Sequence, residues 1–175
     1  MRRISAKVFS IFMSALLAFN IAPSVSFAES GSSLPFKPDF SSEIGKAPSE
    51  MDNKFEDGSI TVESYYGRNV IYVKNNSDGK PAQLSKQFDP VSDTGIAVQF
   101  SYMQRYAKQD DATVFALTSG SKEIINLKTK NGDIVSVGKD GTTGVIVEKY
   151  SANKWYDFSF DIDLKEKTFA VSVNS

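Results

Sequence analysis

Apolar residues recur at every second position through most of this chain, and that period restricts the fold more than any other feature. In "WYDFSFDIDL", residues 155–164, Tyr156, Phe158, Phe160, Ile162 and Leu164 fall on one side. Trp155, Asp157, Ser159, Asp161 and Asp163 fall on the other. Successive side chains of an extended strand point to opposite faces, so such a segment buries one face and wets the other. "SITVES" sets Ile60 and Val62 against Thr61 and Glu63, and "GIAVQFSYM" places Ile96, Val98, Phe100 and Tyr102 together. "TFAVSVN" does the same with Phe169, Val171 and Val173, while "NVIYVKN" is apolar on both faces, as a central strand is. "ATVFALTS", "EIINLKT", "DIVSV" and "GVIVE" add further short apolar runs.

The breaks carry turn chemistry. "SGS" at 119–121 suits a Gly-first two-residue hairpin loop, and "NG" at 131–132 suits a type I′ turn, whose central residues both need positive φ. "NNSDGKP", "KDGTTG" and "LKEK" separate other runs. About ten short strands without a helical stretch predict an all-β fold, an antiparallel two-sheet sandwich.

The first 28 residues read as a secretory signal peptide. Arg2, Arg3 and Lys7 precede an apolar run from Ile11 to Ala22, and Ser26 and Ala28 supply the small residues before a cleavage site. The run is shorter than the roughly 20 residues a bilayer-spanning helix requires, and no later segment is long and apolar enough. The mature chain is expected to start at Glu29 and to be extracellular. Residues 29–50, with Pro35, Pro38 and Pro48, read as an extended leader that Phe36 and Phe40 can anchor. The sandwich is expected over 51–175, with a first strand beginning as early as residue 38.

The residue types present narrow the chemistry. The chain has no cysteine and no histidine, which removes disulfides, Ser-His-Asp and Cys-His nucleophiles, and every His-ligated metal site. Without the signal peptide, 17 basic residues face 21 acidic ones, a net charge of −4. No basic stripe is available for phosphate backbones, so nucleic acid is not an expected partner.

Asp157, Asp161 and Asp163 are expected on a solvated sheet face. Two other uses remain open for them, a ligand- or calcium-facing role and general acid–base work, because same-face neighbours lie about 6.5–7 Å apart. Tyr65, Tyr66 and Arg68 in "ESYYGRN" sit at a strand end, where binding groups concentrate. Rings flanked by hydrogen-bonding side chains suit the apolar face of a sugar, although one tyrosine can equally pack inward with its hydroxyl at the rim. Tyr106 in "MQRYAKQDD" has the same setting. The candidate ligand-binding set is therefore Tyr66, Arg68, Tyr106, Trp155 and Asp157. Oxygen donors for calcium occur at Asp89 and Asp93, at Gln109, Asp110 and Asp111, and at Asp140, but none matches a calcium-binding loop of about 12 residues. No cofactor is otherwise indicated.

Taken together, several segments resemble the concanavalin A-like, or laminin G-like, jelly rolls of secreted bacterial polysaccharide-active proteins. "DFSSEIGKAPSEM" is similar to their opening, with Phe40, Gly45 and Pro48 leading into the first strand. "NVIYVKNNSDGKPAQLSKQFDP" is similar to their second and third strands, and "YSANKWYDFSFDIDLKEKTFAVSVN" to a Trp-Tyr strand and the hairpin after it. The likeness spans residues 38–175, with Met51 where a tryptophan often follows the opening proline. It implies a jelly roll whose closing strands would follow Ser175, and a non-catalytic module that binds glycan or supports an adjoining catalytic domain of a lyase or hydrolase. Glucanases of this fold carry a Glu-x-Asp-x-(x)-Glu strand; here Glu123 and Glu148 are isolated and "DFSFDID" has no glutamate, so catalysis within the chain is not expected. A surface or matrix protein without a sugar ligand, and a carboxylate-based glycoside hydrolase, are the competing readings.

Overall fold

The computed structural model describes residues 4–5, 12–15, 38–76, 82–88, 95–105, 111–138, 140–163, 165–166 and 168–174. Among them are strands and no helix. The strands are β1 (Ile4–Ser5), β2 (Phe12–Ala15), β3 (Asp52–Lys54), β4 (Gly58–Tyr65), β5 (Arg68–Asn75), β6 (Gln83–Gln87) and β7 (Gly95–Tyr102). β8 (Thr113–Ser119), β9 (Lys122–Lys130), β10 (Asp133–Val137), β11 (Thr143–Val147), β12 (Tyr156–Asp163) and β13 (Thr168–Asn174) follow. One sheet has the order β1-β13-β12-β7, a larger one β11-β10-β9-β8-β2-β6-β3, and β4-β5 form a two-stranded third. The strands pair antiparallel throughout, so the all-β, antiparallel sandwich expected from the alternation is the architecture observed. The separate β4-β5 hairpin is an addition to the two expected sheets.

The alternation translates directly into burial. Along β12, Tyr156, Phe158, Phe160 and Ile162 are buried while Asp157, Asp161 and Asp163 are exposed. Phe158 is paired with Phe100 of β7, and their rings stack at 5.1 Å. Phe115 of β8 meets Phe100 at 4.9 Å and Phe160 at 5.2 Å, joining the two larger sheets through one aromatic cluster. Rings at these separations add about 0.5–1.5 kcal/mol per pair to the gain from burying their area. Ile60 and Val62 of β4 and Ile71 of β5 pack into the same core, which fixes the hairpin to the sandwich through one face and leaves the other outward. Phe40 is buried there too, and a parallel bridge from Ile44 to Val62 ties the segment before β3 to the hairpin.

The turns follow from residue type. Asn131 and Gly132 both have positive φ, 53° and 81°, between paired Lys130 and Asp133, the geometry of a type I′ loop. Gly120, at φ 58°, opens the two-residue loop between Ser119 and Lys122. Gly58 answers a different need: a Cβ there would lie 2.0 Å from the Lys74 carbonyl oxygen on the partner strand.

Candidate functional site

The hairpin β4-β5 turns through Tyr66 and Gly67, with Tyr65 paired to Arg68 on either side. Both loop residues have positive φ, 48° for Tyr66 and 77° for Gly67. This is a second type I′ loop, but its first position holds an aromatic residue where Asn, Asp or Gly is favoured. A left-handed conformation costs an ordinary L-residue about 1–2 kcal/mol. Strand register and the glycine that follows hold Tyr66 in it, with the side chain 91% exposed.

Three elements converge beside this tip. Pairing of Tyr65 with Arg68 and of Thr61 with Tyr72 puts Glu63, Tyr65, Arg68 and Tyr72 on the outward face of the hairpin. β7 and β12 are neighbours whose ends meet at the Tyr102–Tyr156 pair, so the residues just after β7 and just before β12 lie side by side. The first segment delivers Arg105 and the second delivers Trp155. The Arg105 guanidinium lies 4.2 Å from the Tyr72 ring centre and 5.7 Å from that of Tyr65, and its Nη2 is 3.6 Å from Glu63 Oε2. Tyr65 makes edge contacts with Tyr66 at 4.7 Å and with Trp155 at 6.4 Å. Arg105 and Glu63 are each more than a third exposed, so their ion pair orients the guanidinium more than it stabilises the fold.

The segments carrying Arg105 and Trp155 are tied to each other and to the core. The Asn153 amide donates to the Gln104 carbonyl at 2.8 Å, and the Tyr102 hydroxyl donates to Gln104 Oε1 at 3.0 Å. The Ser151 amide donates to the Tyr156 hydroxyl at 2.9 Å, and the Tyr150 amide to the Gly132 carbonyl at 2.9 Å. Burial, reinforced by the nearby Tyr150, pushes the Tyr102 phenol well above the ordinary tyrosine range, so it remains a protonated donor.

Of the residues singled out from the sequence, the structure brings Tyr66 and Trp155 together through Tyr65 and places Arg68 at the base of the same tip. Asp157 accepts a hydrogen bond of 2.5 Å from Ser101 Oγ across the β7-β12 pair. Tyr106 lies outside the described residues, as do Asp89, Asp93, Gln109 and Asp110. Asp140 accepts hydrogen bonds from the Thr142 hydroxyl and amide, which hold its carboxyl below the usual range and close a local turn. Among the described residues no group of three acidic side chains is placed to hold a metal ion.

Tyr72, Glu63 and Arg105 were not singled out. The first two were accessible in principle, since reading "YG" as a type I′ turn fixes the hairpin register and with it the outward face. Arg105 depends on β7 and β12 being neighbours, which no local pattern reveals. No family model matches the chain, and neither a curated protein nor a solved structure matches it.

Proposed function

We propose that the chain is a secreted, non-catalytic module that binds polysaccharide at the edge formed by Tyr65, Tyr66 and Trp155, with Arg105 and Arg68 as hydrogen-bond donors. Tyr66 carries the reading: a large apolar ring is held out in solvent by a backbone conformation that costs free energy. Strain of that kind, at an exposed aromatic residue, is a mark of function more than of packing. Rings in mutual edge contact offer faces for sugar C–H groups, and the planar guanidinium of Arg105, 4.2 Å from the Tyr72 ring centre, can reach ring hydroxyls or a uronic carboxylate. Such a module would serve an adjoining lyase or hydrolase domain, in keeping with the likeness to concanavalin A-like jelly rolls.

Calorimetry of the chain starting at Glu29 against pectins, xylans and glucans tests the proposal. One class of glycan should bind, and Trp155→Ala and Tyr66→Ala should each weaken it about tenfold, the equivalent of roughly 1.4 kcal/mol of lost ring contact. Absence of binding to all three classes, with the fold intact by circular dichroism, contradicts it.

A further inference from the structure

The aromatic edge carries a charge opposite in sign to that of the chain. From Thr61 to Tyr72 the outward positions of the hairpin hold one cation, Arg68, and one carboxylate, Glu63. Arg105 sets a second cation over Tyr72. Lys154, next to Trp155 in sequence, supplies a third, its ammonium 5.5 Å from the Tyr156 ring centre. Asp157, the first carboxylate after Trp155, is engaged with Ser101 Oγ. Three cations thus face Glu63 across this edge, in a chain whose residues from Glu29 onward sum to a net charge of −4. Arg105 is also prepared for an anion. The rings of Tyr72 and Tyr65 hold its guanidinium, and Glu63 orients it from 3.6 Å, longer than a hydrogen bond, without taking up its N–H donors. Arg68 opens β5 four residues before Tyr72, about 13 Å away at roughly 3.3 Å per residue. Two guanidinium groups at that spacing address charges that recur along a polymer, not one isolated anion.

We propose that the ligand of this edge is a polyuronate, a polysaccharide bearing a carboxylate on successive sugars. The inference rests on the reading of the edge as a glycan site and adds the charge of the glycan. Sugar rings lie on Tyr66 and Trp155, while Arg105 and Arg68 each donate a pair of N–H groups to a carboxylate, the fork geometry that a guanidinium supplies and an ammonium does not. Glu63 has two effects. It holds the Arg105 guanidinium in place, and its own charge repels the incoming carboxylate, so it limits the affinity for an acidic chain and leaves that for a neutral one alone.

Calorimetry of the full chain in calcium-free buffer tests this, with polygalacturonate and alginate compared with the same polymers after reduction of their carboxyl groups to alcohols. At least one acidic polymer should bind about tenfold or more tighter than its reduced form. That ratio should shrink as salt rises from roughly 0.05 to 0.5 M, because exposed charges are screened. Arg105→Gln, and separately Arg68→Gln, should each cut the ratio by about threefold or more, and Glu63→Gln should raise it by about threefold, with circular dichroism unchanged in all three. Neutral xylan and glucan serve as controls. Equal binding of acidic and reduced polymers, binding of the neutral polymers alone, or a ratio that survives both arginine substitutions or falls in Glu63→Gln overturns the proposal while the edge remains a glycan site. Binding of no polymer, acidic or neutral, overturns the proposal and the glycan reading together.

Discussion

Tyr66 shows how one residue can be worse for stability and better for a site. Its positive φ is tolerated because Gly67 follows it and because Tyr65 and Arg68 close the pair beneath it. Replacing it with asparagine, which suits the first position of a type I′ loop, should stabilise the chain by about 0.5–1 kcal/mol. Denaturant titration would show the gain, and glycan affinity should fall in the same variant. Tyr102 acts in the opposite sense, as a structural hydroxyl. Its pKa in the folded chain lies above the unfolded value of 10.0, so its contribution is complete below pH 10 and is lost as the pH climbs further, when the unfolded chain can ionise it and the folded chain cannot. The denaturation midpoint should therefore decline above pH 10, and Tyr102→Phe should make that decline shallower.

At the level of elements, what could be read from sequence tracks how much of the information is local. β4, β7, β12 and β13 announce themselves through alternation, and the Asn131-Gly132 turn through its residue types. β3 does not: Asp52, Asn53 and Lys54 carry no apolar pattern, and their strand exists only because β6 lies beside it. The candidate site divides the same way. Tyr66 and Trp155 are visible as aromatics at element ends, whereas their approach through Tyr65 depends on how a hairpin packs against the β7-β12 pair. Asp157 illustrates the converse, since Trp155, two residues before it, joins the aromatic edge while its own carboxylate accepts a hydrogen bond from Ser101. The elements are locked together at Phe115, which touches both Phe100 and Phe160 from the opposite sheet. Phe115→Ala should cost about 3–5 kcal/mol, read as a shift in thermal or denaturant midpoint.

Over the whole molecule, the sandwich acts as a rigid mount. Its core fixes the ends of β7 and β12, and those ends, with the hairpin tip, set the spacing of the rings that the proposed function uses. The chain contains a single tryptophan, Trp155, and it stands within this edge, so its emission reports on the site without any label. The most direct measurement is a fluorescence titration of the chain starting at Glu29 with oligosaccharides of the glycan that calorimetry selects. A saturable change in Trp155 emission, lost in Tyr66→Ala, is the predicted result. Glycan binding that leaves the emission of Trp155 untouched would contradict the account.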